Sequence, residues 1–262
     1  MFDNMVFAVS YVGEEKEKDD VTRLIKQHGG RLLDDGFEKL FTPIKTPTKA
    51  HPEDERSELE IAPSEANVGF VALIADEHSR KAKYMQALAL GLPCISGRWI
   101  HDCIAKSSII DWMPYLLSSG QSSFLGGDAT LSDTFADRPK LLEGKSVLII
   151  TGRGQVEEKR KPYTFLTRAL GADRVGQAYD VAGAKKMLLE GEKKGEEFDW
   201  LYVDGKKDVE GAIFDSTSVP LAGKKRKRAS GANADAPVPK RIRVVNDEII
   251  IQSLILGQLI EE

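Results

Sequence analysis

The sequence predicts an α/β protein of two successive units, each a small, four-stranded, parallel β-sheet flanked by helices. Short apolar runs typical of buried strands alternate with amphipathic segments typical of helices, in the order β-α-β-β-α-β-α. The same order returns in the second half, and 262 residues suffice for two domains of ordinary size. We therefore expect a first repeat at residues 1–118, a linker rich in Ser, Gly and Asp at 119–142, and a second repeat at 143–262.

In the first repeat, the apolar run Met5–Ser10 predicts a buried strand, and Asp19 or Asp20 is the predicted N-cap of the following helix. Gly29 and Gly30 predict the end of that helix, since glycine adopts the left-handed conformation found at helix C-termini. The later predicted elements are strands at Arg31–Leu33, Phe70–Ala75 and 94–95, a helix at 79–90, and a last helix that Ser96 caps and that carries Trp99, Ile100, Cys103 and Ile104.

The second repeat is predicted to follow the same order with one additional helix. Its predicted strands are Ser146–Ile150, 174–175, 198–203 and Arg243–Val245, and its predicted helices are one opened by Pro162, one at 181–189 and one at 247–260. The closing helix is so apolar that we expect it to be buried on several sides. Two polar stretches, 42–67 in the first repeat and 205–240 in the second, predict solvated loops.

Composition argues against several classes of protein. The net charge of −4 does not suit a chain that coats nucleic acid over its whole surface. No apolar run approaches the ~20 residues that a membrane span needs, and the N-terminal sequence lacks the layout of a signal peptide. Two cysteines make no disulfide framework, so a reducing compartment fits the chain better.

The sequence contains no recognisable catalytic or metal-binding motif. Cys94 and Cys103 are interpreted as buried thiols, because no motif places a base beside either of them. His78 and His101 lack metal-ligand spacing with the cysteines, and no G-x-G-x-x-G joins a strand to a helix. We therefore predict a protein that is not an enzyme and that uses no metal or cofactor.

Two local motifs and one longer segment carry a family resemblance. The pair Gly29-Gly30 after the first helix, and Trp99 followed by Cys103 in the last, resemble the hallmarks of BRCT repeats. The segment LIADEHSRKAKYMQALALGLPCISGRWIHDC, residues 73–103, is similar to the first BRCT repeat of the checkpoint-mediator adaptors, which include the fungal Rad-nine/Crb-two type and the animal tumour-suppressor-binding mediator. The closing IIIQSLILGQLI resembles the last helix of that group. The resemblance implies two tandem BRCT repeats.

Three features depart from the usual BRCT pattern. Ile249 stands where a repeat usually has tryptophan, and the second glycine pair is reduced to Gly171-Ala172. Tyr11 stands where many phosphate-reading repeats have glycine. If the site uses only the Tyr11 N–H, this change has no effect on binding, whereas the side chain is in a position to alter access.

Three groups match the phosphoserine pocket of the family. Ser10 lies at the C-terminal end of the first predicted strand, where open α/β sheets bind ligands, and the Tyr11 N–H is beside it. Lys83 lies in the first turns of a predicted helix whose N-terminus favours an anion. The resemblance implies that these three groups bind a phosphate together. The equivalent turn of the second repeat, TGRG at 151–154, has no matching lysine on the helix after it.

Arg80 precedes Lys83 by three positions, so both are predicted to lie on one helix face. Arginine binds carboxylates in bidentate fashion, and in the family an arginine here meets the C-terminal carboxylate of the damage-marked histone tail, the phosphorylated A type of H2. The resemblance therefore implies a phosphopeptide-binding module of a nuclear DNA-damage checkpoint adaptor, which reads this tail at DNA double-strand breaks beside other checkpoint proteins. The alternative is a scaffold that binds a folded, unphosphorylated partner, or forms a homodimer, through the inter-repeat linker.

The polar insertion of the second repeat is basic, and three interpretations of it stay open. The cations on which these interpretations rest, together with the residue that follows the insertion, are Lys224, Lys225, Arg226, Lys227, Arg228, Lys240 and Arg241. They form a split nuclear-localisation signal, or contact nucleosomal DNA with a salt-sensitive affinity, or keep a solvated loop soluble.

Overall fold

The computed structural model describes residues 1–13, 15–43, 58–129, 140–204 and 242–260. The strands in these residues are β1 (Met5–Ser10), β2 (Arg31–Leu33), β3 (Phe70–Ala75), β4 (Cys94–Ser96), β5 (Gly120–Ser122), β6 (Gly127–Ala129), β7 (Ser146–Ile150), β8 (Arg174–Ala178), β9 (Trp200–Tyr202) and β10 (Arg243–Val245). The α-helices are α1 (Glu15–Gln27), α2 (Ala82–Ala89), α3 (Arg98–Ala105), α4 (Gln155–Ala169), α5 (Val181–Lys194) and α6 (Asp247–Leu256).

The strands form two parallel four-stranded sheets of one topology. The first sheet has the order β2-β1-β3-β4, and the second, β10-β9-β7-β8, is the same order read from the opposite edge. In each repeat the first strand, β1 or β7, lies inside the sheet and pairs in parallel with the next two strands of the chain. These strands are buried because helices cover both faces, as parallel sheets require. The structure confirms the predicted fold of two parallel sheets flanked by helices.

The core of the first repeat is organised around the indole ring of Trp99, which is fully buried. The rings of Phe2, Phe7 and Phe70 lie 5.9, 6.3 and 6.1 Å from it, centroid to centroid. Its Nε1–H donates a 3.0 Å hydrogen bond to the carbonyl oxygen of Ile110, which satisfies the one polar group of the ring. The tryptophan therefore fixes α3 against the sheet whose edge carries Ser10.

Gly97, and not the predicted Ser96, is the N-cap of α3. The Ser96 hydroxyl still accepts a hydrogen bond of 3.4 Å from the Arg98 N–H. A glycine is needed at the cap because a Cβ atom built there would overlap the hydroxyl of Tyr11. The close approach of α3 to the end of β1 thus depends on the absence of a side chain at Gly97.

We expect Gly97→Ala to lower the free energy of unfolding by roughly 1–3 kcal/mol, because the new methyl group forces the buried Tyr11 ring to move. Urea unfolding followed by tryptophan fluorescence measures the change. Gly127→Ala is the control, since a Cβ atom there meets nothing within 4 Å, and it should change stability by less than about 0.5 kcal/mol. Equal effects of the two substitutions would refute the packing role of Gly97.

Two helices begin earlier than the sequence indicates. α1 starts at Glu15, so the prediction of Asp19 or Asp20 as its N-cap is wrong, and both residues lie inside the helix. α4 starts at Gln155, and Pro162 lies within it rather than at its start. In both cases the preceding residues are mostly Glu, Lys and Arg, which favour helix, and the acids in the first turn suit the helix dipole.

Several other boundaries in the second half differ from prediction. Residues 120–129, assigned to the linker, contain the antiparallel hairpin β5–β6, whose alternating small polar residues gave no strand signal. α5 extends to Lys194, and β8 continues to Ala178. α6 ends at Leu256 rather than at 260, because Gly257 adopts the left-handed conformation with φ 70°.

The two repeats pack through their helices. α2 of the first repeat contacts α4 and α6 of the second. The rings of Phe41 and Phe165 meet at this junction with their centroids 5.7 Å apart. The hairpin is fixed to α6, because the Ser119 hydroxyl donates a 2.8 Å hydrogen bond to the carbonyl oxygen of Ile255. α2 therefore contacts both the first sheet and the helices of the second repeat.

Candidate functional site

Ser10 is the last residue of β1, at the edge of the sheet where its parallel strands end. Ser10 pairs with Ala75 of β3 and is only 6% exposed. Among the described residues, none forms a hydrogen bond with its hydroxyl. The serine is thus placed by the central strand of a rigid sheet, at the position where open α/β sheets bind ligands.

Two lysines reach the backbone on either side of Ser10. Lys83, in the first turn of α2, donates a 3.2 Å hydrogen bond to the carbonyl oxygen of Val9. Lys81, the N-cap of α2, donates one of 2.5 Å to the carbonyl oxygen of Tyr11. Desolvation lowers the pKa of Lys83, while the nearby carboxylate of Asp34 acts in the opposite direction. Two cations therefore lie beside the end of β1.

The Tyr11 side chain does not project over this edge of the sheet. Its ring packs into the core of the first repeat, with 6% of the residue exposed and its hydroxyl against Gly97. Burial raises the pKa of the Tyr11 hydroxyl well above its ordinary value, and the carboxylates of Glu17 and Asp76 raise it further. The bulk of this residue is therefore directed away from the space that a ligand beside Ser10 would occupy.

The loop after β1 is held by the carboxylate of Asp76, which follows β3. It accepts hydrogen bonds of 2.9 Å from the Val12 N–H and 2.6 Å from the Gly13 N–H. Desolvation raises the pKa of Asp76, but these N–H donors, with that of Glu77, outweigh it and keep the pKa below its usual value. The Tyr11 N–H is not among the groups that Asp76 binds, so the turn is fixed without the use of that donor.

Arg80 lies outside α2, because the helix begins at Ala82 rather than at 79. The prediction that Arg80 and Lys83 share one helix face is therefore wrong. The Arg80 guanidinium reaches across to the second repeat and forms a bidentate ion pair with Glu248 of α6, with N–O distances of 2.7 and 3.2 Å. A hydrogen bond from Gln252 lowers the pKa of Glu248, and the pair with Arg80 lowers it further. About half of each charged side chain stays exposed.

Sequence reasoning missed Lys81, Asp76 and Glu248. Lys81 could have been found by counting the cations around the start of α2. The other two could not, since each acts through a long-range contact: Glu248 is 168 positions from Arg80, and Asp76 is 64 from Val12.

The TGRG turn of the second repeat has its polar groups engaged locally. The Thr151 hydroxyl donates a 3.3 Å hydrogen bond to the carbonyl oxygen of Ala178. The Arg153 guanidinium lies over the ring of Tyr179, 5.3 Å from its centroid. The same group forms an ion pair with the Asp180 carboxylate at an N–O distance of 3.8 Å. The turn thus differs from the Ser10 site in having its threonine hydroxyl already bonded to the backbone.

The other features considered from the sequence are the cysteines, the potential metal ligands, membrane-spanning segments and the basic insertion. Cys94 and Cys103 are buried, and no disulfide joins them. Within the described ranges, no three His, Cys, Asp or Glu side chains lie close enough to hold a metal ion. In the same ranges, no helix combines the length and apolarity needed to cross a membrane. The basic cations Lys224, Lys225, Arg226, Lys227, Arg228, Lys240 and Arg241 lie outside the described residues.

Comparison with known proteins connects this geometry to a family. Residues 1–104 match the model of the BRCA1 C Terminus (BRCT) domain. The chain is 32% identical over 201 residues to the DNA repair protein crb2 of Schizosaccharomyces pombe, a match that covers 66% of this chain and 25% of crb2. It is 31% identical over 200 residues to the DNA repair protein RAD9 of Saccharomyces cerevisiae, covering 72% of this chain and 13% of RAD9.

A solved structure extends the likeness to both repeats. The crystal structure of the BRCT5-BRCT6 domains of S. pombe Brc1 covers 98% of this chain and 94% of its own, with a TM-score of 0.53 and 14% identity. At that identity the likeness concerns the fold alone. The chain spans a quarter or less of the length of the two curated relatives. Residues 1–104 belong to the BRCT family, the whole chain has the tandem BRCT fold, and its sequence is homologous to the DNA repair proteins crb2 and RAD9.

Proposed function

We propose that this chain is a phosphopeptide-binding module of a nuclear DNA-damage checkpoint adaptor. Its ligand is the phosphorylated C-terminal tail of the damage-marked histone, the A type of H2, at DNA double-strand breaks. The module comprises a first BRCT repeat at 1–118, a linker at 119–142 and a second repeat at 143–262. The observation that carries the proposal is the position of Ser10 at the end of β1, with Lys83 and Lys81 hydrogen-bonded to the residues on either side of it.

A phosphate group suits these residues. The hydroxyl of Ser10 and the N–H of Tyr11 are donors, and Lys83 supplies a cation whose charged form is disfavoured by burial. A phosphoserine dianion restores that lost stabilisation, and each charge-assisted hydrogen bond contributes roughly 1.5–3 kcal/mol. The start of α2 adds a favourable dipole. The residues act by recognition, and the proposed module is not an enzyme.

Arg80 is the proposed contact for the carboxylate at the end of the peptide. Its ion pair with Glu248 uses one N–H of each terminal nitrogen, which leaves three of the five guanidinium donors for a ligand. Glu248 thereby orients the guanidinium without using all of its donors. The peptide would run from Ser10 towards the junction of the repeats, and its C-terminus would lie beside α6.

Calorimetric titration with a synthetic histone-tail peptide that ends in a free carboxylate tests the proposal. We expect micromolar binding of the phosphorylated peptide and no binding of the unphosphorylated one. Equal binding of both peptides, or binding of neither, would contradict the proposed function.

We expect Arg80→Met to weaken binding of the free-carboxylate phosphopeptide about tenfold, or about 1.4 kcal/mol, through the loss of a charge-assisted contact. Binding of the same peptide with a C-terminal amide should not change. Arg98→Met, which removes an exposed arginine of α3, is the matched control. If Arg80→Met weakened binding of the free-carboxylate and the amidated peptide equally, Arg80 would have no specific role at the carboxylate.

The scaffold alternative has one specific observation in its favour. Phe124 and Leu125, at the tip of the β5–β6 hairpin, are 63% and 64% exposed, which is unusual for large apolar residues. Checkpoint proteins or a second copy of the chain could dock there. A pull-down before and after phosphatase treatment of the partners separates the two functions, since docking on the hairpin survives the treatment and phosphopeptide binding does not.

In the proposed adaptor, the basic insertion at 205–240 serves nuclear import or contacts nucleosomal DNA.

A further inference from the structure

Arg160 of α4 is a buried cation in the second repeat. Arg160 is 3% exposed, and its guanidinium lies over two tyrosine rings, 4.5 Å from the centroid of Tyr163 and 4.8 Å from that of Tyr202. Its Nη1 donates a 2.7 Å hydrogen bond to the Asp247 carboxylate. The Nε and Nη2 groups are buried and have no hydrogen-bond partner in the described part of the chain. Burial of an incompletely hydrogen-bonded charge carries a desolvation penalty that an apolar residue of similar size would avoid. We therefore expect Arg160 to have a role.

The two tyrosines beside Arg160 are neutral and also lie near Asp247. Burial raises the pKa of Tyr202 well above its ordinary value, and the Asp247 carboxylate raises it further. The pKa of Tyr163 is raised by the same two causes in the same order. The Asp247 side chain is 26% exposed and has Arg160 as its ion-pair partner.

Asp247 and Glu248 are the first two residues of α6, and each binds one arginine from a different direction. Asp247 pairs with Arg160 of the second repeat, and Glu248 pairs with Arg80 of the first. The N-cap of this turn is Asn246, whose side chain accepts a 3.0 Å hydrogen bond from the Ile249 N–H. The first turn of α6 thus connects a buried cation in one repeat to an exposed cation in the other.

We infer that Arg160 and Asp247 are positioning residues for Arg80: they fix the first turn of α6, so that Glu248 presents the Arg80 guanidinium to the carboxylate end of a bound peptide. This inference rests on the proposed function and deepens it. Arg160 itself does not touch the ligand. The Arg160–Asp247 ion pair sets the rotation and axial position of the first turn of α6, from which Glu248 projects. A small displacement of this turn changes the geometry of the bidentate contact between Glu248 and Arg80.

The inference is tested by the ratio of two affinities, for a phosphopeptide with a free C-terminal carboxylate and for the same peptide with a C-terminal amide. Arg160→Met keeps an unbranched side chain beside the two tyrosine rings and removes the charge. Asp247→Asn keeps the shape of the turn and removes the other charge. Lys161→Met, on the exposed neighbour of Arg160 that pairs with Glu158, is the matched control.

We expect Arg160→Met and Asp247→Asn each to lower the carboxylate-to-amide affinity ratio at least about threefold. Affinity for the amide peptide should stay within about twofold of wild type, and Lys161→Met should change neither value. In an Arg80→Met background, Asp247→Asn should have no further effect on the ratio, because its effect acts through Arg80.

A merely structural role of Arg160 gives a different result. Its substitution would then lower the melting temperature while leaving the affinity ratio at the wild-type value, which would overturn the inference and leave the proposed function intact. If Arg160→Met fails to fold, Asp247→Asn decides the matter in the same way. Failure of the wild-type chain to bind the phosphorylated peptide overturns the proposed function, and the inference with it.

Discussion

Replacing Lys83 with methionine is expected to weaken binding of the phosphorylated peptide roughly thirtyfold, or about 2 kcal/mol. The lysine lies in the first turn of α2 with its amine 3.2 Å from the carbonyl oxygen of Val9. Methionine has a similar length but no charge, so the phosphate would lose its cation while the packing beneath it is largely preserved. Calorimetry with the same peptide measures the loss.

Lys106→Met is the control for Lys83→Met, because it removes an exposed lysine just after α3 and the same unit of charge. It should bind the peptide as wild type does. Circular dichroism should show that both variants stay folded. A folded Lys83→Met protein with wild-type affinity would contradict the assignment of Lys83 to the phosphate.

Trp99→Ala is expected to lower the free energy of unfolding by about 3–5 kcal/mol. The substitution empties the space between three phenylalanine rings and leaves the carbonyl oxygen of Ile110 without the indole donor. Because α3 packs beside the end of β1, the loss should also disturb the Ser10 edge of the sheet. Denaturant unfolding measures the change.

Met113→Ala is the comparison for Trp99→Ala, since Met113 is 50% exposed in the segment after α3. It should change stability by no more than about 0.5 kcal/mol. A loss below about 1 kcal/mol for Trp99→Ala would show that the indole is not the centre of the core.

The strands of the first repeat were predictable because their signal is local. The apolar runs Met5–Ser10 and Phe70–Ala75 are long enough to be buried strands, and the structure gives both the predicted bounds. Helix starts were less predictable. α1 and α4 extend through charged residues that favour helix, and Pro162 within α4 is tolerated although it cannot donate a helical hydrogen bond.

The residues of the candidate site also differ in how well the sequence predicts their positions. Ser10 and Lys83 could be placed from the sequence, since one ends a predicted strand and the other lies in the first turns of a predicted helix. The position of Arg80 could not, because residues 79–81 precede the helix and the side chains of Arg80 and Lys81 bind distant partners. The ion pair with Glu248 and the Arg160–Asp247 pair depend on how the repeats and their helices pack, which hydrophobic periodicity does not specify.

The most direct test of the central claim is to map the bound phosphopeptide on the isotopically labelled chain by amide NMR. We predict a large, saturable shift of the Tyr11 amide, with smaller shifts at Ser10 and at the start of α2, and no such response to the unphosphorylated peptide. Shifts confined to the turn at Thr151 or to the β5–β6 hairpin would contradict the claim that the first repeat reads the phosphate.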